Sequence, residues 1–214
     1  MLFDLDALPV ASRYKLLTST VVPRPIAWVV TQDAAGVLNA APYSFFNVFG
    51  SDPPIVALGI GNRPSGAAKD TGANIAATGE FTVCLVPEDA LPAMNITAAD
   101  FPAGVDELAE ADLATLPSTK VRPPRLAASP VALECTLFKT VEMGSHSLVM
   151  GLVRAMHIKD AAVMDPERCY IDSPALGLVG RMHGAGWYTR TGDRLEVKRV
   201  SAAELAARKE KPGG

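Results

Sequence analysis

Two long apolar runs meet at a two-residue break in the last third of the chain. "SPVALECTLFKTVEM", Ser129 to Met143, and "HSLVMGLVRAMHI", His146 to Ile158, are separated only by Gly144 and Ser145. A glycine–serine break between such runs suits a tight hairpin. In the second run Leu148, Met150 and Leu152 fall opposite Val149, Gly151 and Val153, so both faces are apolar as far as Arg154. Strands with two apolar faces are expected in the wall of a barrel or sandwich, with one side against a second layer.

Shorter strand-like runs precede this pair. "RPIAWVV", Arg24 to Val30, opens on a proline and is rich in branched and aromatic residues. The turn "TQDAAG" leads into "VLNAA", so Pro25 to Ala41 reads as a hairpin with a four- or five-residue loop. "PPIVALGIG" and "EFTVCLVP" are two further strands, each bounded by proline or glycine. Between them, Ala68, Thr71, Ile75 and Ala76 recur at near-helical spacing, and Gly79 is placed to end a helix. Asp70 or Thr71 falls in its first turn or at its N-cap. "EDALPAMNI" reads as a second short helix. "LPSTKVRPPRLAASP" is proline-rich and aperiodic: an extended excursion that is either a solvated connection or a lid or dimer arm.

Many strands, few short helices and hairpin connections argue for a closed or nearly closed antiparallel barrel. No strand–GxGxxG–helix unit supports a Rossmann domain, and "GIGNRPSG" lacks the Lys-Ser/Thr of a P-loop. A formal net charge of −3 over 214 residues provides no basic face for nucleic acid and no polybasic membrane anchor. No 18-residue apolar run is present, and Asp4 and Asp6 disfavour a signal peptide, so the cytoplasm is the expected location. Cys84, Cys135 and Cys169 are scattered and odd in number, and no helical HExxH unit occurs among His146, His157 and His183. Neither a disulfide framework nor a metal site is expected.

Three segments carry chemical potential. "NAAPYSFFN" keeps Ala40, Ala41 and Pro42 small, so a flat ligand can approach the backbone around Tyr43 and Ser44. Its alternative is a barrel corner whose aromatics fill the core. "GNRPSGAAKDT" sets Arg63 and Lys69 at the start of a helix, where unpaired N–H groups and the dipole favour an anion. Its alternative is ordinary capping with a solvated lysine. "GRMHGAGWY" adds Arg181, His183, Trp187 and Tyr188. A flat-ring site and an anion site on one small barrel point to a nucleotide-like cofactor.

These segments, in order PRPIAWV, APYSFFN, SDPP, KDT and VRPPR, resemble the flavin reductase-like family of FMN-binding split barrels, in its flavoredoxin-like branch. The resemblance runs from about Val22 to Tyr188. It implies a mainly β fold with short helices: an antiparallel split β-barrel of Greek-key topology, forming a homodimer and binding FMN. Residues 21–190 would form that domain. Residues 1–20 would be an extension packing on the barrel or the dimer partner, and 191–214 a strand or helix tail with a flexible end.

By the same resemblance the flavin ring would lie along Ala41, Pro42, Tyr43 and Ser44, lined by Trp28 and Thr31. Asn47 would hold the loop or touch the ribityl chain. Arg63, Lys69 and Thr71 would hold the phosphate, with Asp70 ordering that turn, and Arg181 and Tyr188 would stand near the site. The implied activity is hydride transfer from NAD(P)H, as NADH or NADPH, to FMN. Electrons would then pass to a flavin, a protein or a small molecule. A flavoredoxin-type electron carrier, or a non-catalytic flavin-binding module, is the alternative. No residue is assigned as catalyst, because the flavin does the electronic work. His183 and Asp52 read as structural residues.

Overall fold

The computed structural model describes residues 1–205 apart from Pro64, Ala103 and Ala203. The flexible end expected for the tail falls mainly on 206–214, outside the described residues.

In chain order the first elements are α1 (Val10–Thr20), β1 (Ala27–Gln32), β2 (Leu38–Tyr43), β3 (Phe46–Ser51) and β4 (Pro54–Gly61). They are followed by α2 (Asp70–Thr78), β5 (Glu80–Leu85), α3 (Leu91–Ile96) and α4 (Glu107–Glu110). Two-residue strands β6 (Thr115–Leu116) and β7 (Arg125–Leu126) precede the long hairpin of β8 (Val131–Met143) and β9 (His146–Ile158). The chain closes with β10 (Val163–Asp165), β11 (Tyr170–Ile171), β12 (Val179–Arg181) and β13 (Tyr188–Arg190).

Seven strands make one sheet in the order β2–β1–β5–β8–β9–β4–β3, every neighbour antiparallel. The expected hairpins are present: β1 pairs β2 across Asp33–Val37, and Met143 pairs His146 across Gly144–Ser145. The two sheet edges, β2 and β3, are successive in the chain. Only Ser44 and Phe45 separate them, so the last strand of the sheet turns back beside the first, and the Gly59 N–H, donating to Phe45 O at 2.7 Å, extends the β3–β4 pairing to this corner. The sheet thus almost closes without the edges pairing, and this is the split barrel. The passage from β4 through α2 to β5, across the β8–β9 hairpin, is its Greek-key crossover.

Both faces of the central strands are buried, as the apolar runs require. Val29, Val56, Leu58, Phe81, Val83 and Cys135 fill one side of the sheet. Trp28, Val30, Cys84, Met94, Leu108 and Leu126 fill the other, beneath α3, α4 and the proline-rich excursion. Burying each such side chain stabilises the fold by roughly 1.5–3 kcal/mol relative to exposure. The Phe81 ring lies so close to β9 that a Cβ on Gly151 would stand 2.3 Å from its Cζ, so only glycine fits there.

The excursion of residues 113–130 is tied to the barrel at several points, while residues 114–117 and 127–128 are exposed. Val121 and Leu126 are buried. The Thr119 and Lys120 backbone N–H groups donate to the carboxylate of Glu134 on β8, and His157 on β9 bonds the same carboxylate. The Thr82 hydroxyl donates to Pro123 O at 2.8 Å.

Helix α2 begins at Asp70, with Lys69 as N-cap, and ends where Gly79 adopts φ +71° and donates to Ile75 O. Helix α1 was not legible beforehand. Only its Thr18 is buried, and its short apolar stripe of Val10, Tyr14 and Leu17 is left exposed. Among the described residues no helix is long and apolar enough to cross a membrane.

Candidate functional site

A groove runs between the β2 wall and the start of α2. One section is lined by Ala41, Pro42 and Tyr43 on one side, and by Arg63, Lys69 and Asp70 on the other. Thr97 to Phe101 and Glu107 close its far bank. A second section shares Pro42, Tyr43, Arg63 and Lys69 and continues past Ser44 and Gly61 to the hairpin tip at Gly144, Ser145 and His146. The structure therefore brings the "APYS" and "KD" segments to one place, although α2 stands more than 20 positions away in sequence.

The α2 end is positively biased. A helix start leaves its first N–H groups without intrahelical acceptors and carries the positive end of the dipole. Lys69, at the N-cap, makes no side-chain capping bond. Arg63 is paired with Asp70 at 3.0 Å and also donates to Phe101 O at 3.4 Å. Asp70 thus orders this turn by holding Arg63.

Thr71 and Thr31 lie beneath the groove, not in it. Both are fully buried, and both donate their hydroxyls to Asn39 Oδ1, at 2.8 and 3.3 Å. The Thr71 hydroxyl proton is already committed to Asn39. Its contribution at the groove is therefore the backbone of the first helical turn.

Trp28 is likewise fully buried, and its Nε1–H donates to Thr97 Oγ1 at 2.9 Å. It backs the groove through Thr97 and has no surface on it. Thr97, with Asn39 and Glu107, was missed in the sequence. Each becomes relevant only through long-range contacts that no local spacing encodes.

The Tyr43 hydroxyl is buried beneath the groove beside the Thr71 side chain, and no group among the described residues meets it in hydrogen-bonding geometry. Burial pushes its phenol up to about 12, so it stays protonated. Ser44 stands at the β2–β3 corner and accepts from Arg24 Nε at 3.4 Å. Arg24 is itself buried and donates to the Thr18, Val21 and Met182 carbonyls at 2.7, 2.9 and 3.2 Å. Burial lowers its pKa, Tyr14 opposes this in part, and Arg181 adds a smaller lowering effect.

Arg181 and Tyr188 face each other on the β12–β13 hairpin, guanidinium carbon 4.7 Å from the ring centre. Neither lines the groove; Arg181 is joined to Arg24 by a pair of backbone bonds, and Arg24 also donates to Met182 O. Asn47 also lies outside the groove. Its Oδ1 accepts from the Val48 N–H, and its side chain borders a neighbouring apolar face. His183 is exposed and stacks on Trp187.

That apolar face is formed by Val10, Tyr14 and Leu17 of α1 with Phe45, Phe49 and Leu148. It shares Tyr14, Phe45, Gly59, Ser145 and His146 with the groove, so the two surfaces are continuous.

A family model described as "Flavin reductase like domain" matches residues 18–173. An uncharacterized protein of Deinococcus radiodurans is 46% identical over 206 residues, 94% of this chain and 91% of its own length. Among solved structures, the Pseudomonas fluorescens 2-nitrobenzoate 2-nitroreductase NbaA superposes with a TM-score of 0.86 at 31% identity, covering 94% of this chain and 98% of that one. Nitrilotriacetate monooxygenase component B from Bacillus cereus also reaches 0.86, at 28% identity, covering 92% and 98%.

Proposed function

Since the chain belongs to the flavin reductase like domain family, we propose that it binds FMN in the groove beside α2 and transfers hydride to it from NADH or NADPH. The observation that carries this reading is the Tyr43 hydroxyl on the β2 wall facing the start of α2, a buried donor that meets no acceptor in hydrogen-bonding geometry among the described residues. Leaving such a group unmade costs about 1–3 kcal/mol. A phosphate or ribityl oxygen supplies the acceptor it lacks, so the donor set fits a phosphorylated, polyhydroxylated ligand.

Bound FMN would supply the hydride-accepting chemistry, which asks no acid or base of the protein. The chain's own residues bind and orient. Lys69 and the first N–H groups of α2 neutralise a phosphate. Ala41 and Pro42 carry short side chains, which lets a planar ring approach the β2 backbone. Ser44 accepts from Arg24. Its own O–H is thereby left to donate to a polar edge. Trp28, Thr31 and Thr71 support this wall from behind, while Arg181 and Tyr188 brace Arg24 from the C-terminal hairpin.

The resemblance to a 2-nitrobenzoate 2-nitroreductase favours a small organic molecule as final acceptor. The apolar face beside the groove favours a homodimer, the second copy covering Tyr14, Phe45 and Phe49. The cytoplasm, where reduced nicotinamide nucleotides are held, is the compartment this reading assigns.

The test is to load the purified protein with FMN and add NADH or NADPH without oxygen. The visible flavin absorption should bleach within the mixing time of a rapid experiment. A protein that takes up no FMN contradicts the reading. One that binds FMN but is not bleached by either nucleotide is a carrier or a binding module instead.

A further inference from the structure

Glu107 sits in a four-residue helix beside the groove, is only 6% exposed, and has no ion-pair partner among the described residues. A buried carboxylate without a cation is costly unless its lone pairs are filled. Both oxygens are filled from β2. Oε1 accepts from Asn39 Nδ2 at 2.8 Å, and Oε2 accepts from the Ala40 N–H at 3.1 Å.

The consequence appears on the other side of Asn39. With Nδ2 held by an acceptor-only carboxylate, Oδ1 must turn toward α2. There it collects the Thr71 hydroxyl at 2.8 Å and the Thr31 hydroxyl at 3.3 Å. Asn74 Nδ2, one turn further along α2, donates to Thr31 Oγ1 at 3.1 Å. One carboxylate thereby sets the direction of a carboxamide and of two hydroxyls, and ties the first turns of α2 to β2. The charged and titratable groups that share this part of the groove with Glu107 are Asp70 from α2, Lys69 at its N-cap, Arg63 from the preceding loop, Tyr43 from β2 and Asp100, while Asp106, its neighbour in the chain, caps its helix.

We propose that Glu107 is a positioning residue for the anion-binding end of the groove: acting through Asn39, it fixes the first turn of α2 so that its N–H groups and Lys69 meet a phosphate monoester. This rests on the groove being the FMN site. Glu107 acts through Asn39 and the Thr71 end of α2. Its effect belongs to the phosphate and not to the ring.

The experiment compares FMN with riboflavin, which has the same ring and ribityl chain but no phosphate, by quenching of flavin fluorescence. In Glu107→Gln one oxygen becomes a donor, so the Asn39 Nδ2 and the Ala40 N–H can no longer both be accepted. FMN affinity should fall about tenfold or more, while riboflavin affinity stays within about twofold. Asn39→Ala should lower the same ratio, and the double variant should be no worse than Asn39→Ala alone, because both act along one path. If Glu107→Gln does not fold, Asn39→Ala alone decides the matter by the same ratio.

An FMN-to-riboflavin ratio unchanged in the folded variants overturns the inference and leaves the FMN site standing. A wild-type protein that binds neither flavin overturns both.

Discussion

Arg63 and Asp70 hold each other across the start of α2, guanidinium to carboxylate at 3.0 Å. Lys69, between them in sequence and on the same rim, enters no ion pair among the described residues. The two cations of the groove are therefore unequal. Lys69→Ala should weaken FMN binding by about 1.5–3 kcal/mol, the range for a hydrogen bond to a charged group. Arg63→Ala removes a cation already compensated by Asp70, and should cost less than about 1 kcal/mol. Isothermal titration of both variants gives the order. Equal losses, or none at Lys69, would show that the phosphate is held elsewhere.

The two buried carboxylates should leave opposite marks on acid stability. Burial disfavours the Glu134 charge, but the Thr119 and Lys120 N–H groups, His157 and the Thr119 hydroxyl outweigh it and lower its pKa from 4.5 to about 2. The unfolded chain then binds the proton more readily. Stability from Glu134 is present above pH 4.5 and is lost as pH falls from there toward 2. For Glu107, burial pushes the pKa up. Its contribution is present at low pH and is lost as pH rises through the raised value. Urea unfolding at a series of pH values should show a flatter acid limb in Glu134→Gln than in the wild type. A limb of unchanged slope would count against the clamp on residues 119–120.

Gly151 faces the Phe81 ring with no room for a methyl group. Gly151→Ala should destabilise the barrel by about 1–3 kcal/mol through overpacking, seen as a lower denaturant midpoint. A midpoint equal to wild type would mean that β9 and Phe81 can separate freely.

The barrel was legible where sequence pattern and burial coincide. β8 and β9 are apolar on both faces because both faces are covered, and Gly144–Ser145 could only be their turn. α2 was legible from Thr71, Ile75 and Gly79. What stayed hidden had no local signal. Glu107 looks like one acid among several in "VDELAEAD", yet it is buried against Asn39, 68 positions earlier. Arg24 reads as the head of a strand and instead joins Thr18, Ser44 and Met182. The family resemblance implied that Trp28 and Thr31 line the flavin. The alternation of side chains along β1 turns Trp28 into the core behind that wall. Thr31 is buried by its bonds to Asn39 and Asn74.

The apolar face of α1 and β3 supports an expectation about assembly. Phe49 is 67% exposed and Tyr14 59%. A homodimer closing over them is expected to bury more than about 2,000 Å². Phe49→Asp should then shift the protein toward monomer in sedimentation at micromolar concentration. A wild-type protein that sediments as a monomer would refute the dimer.

The most direct test is a crystal structure of the protein with FMN. The phosphate is expected against Lys69 and the first N–H groups of α2, the Tyr43 hydroxyl bonded to the ligand, and the ring along Ala41 to Ser44. FMN bound away from α2, or Tyr43 still unpartnered in an occupied crystal, would contradict the account.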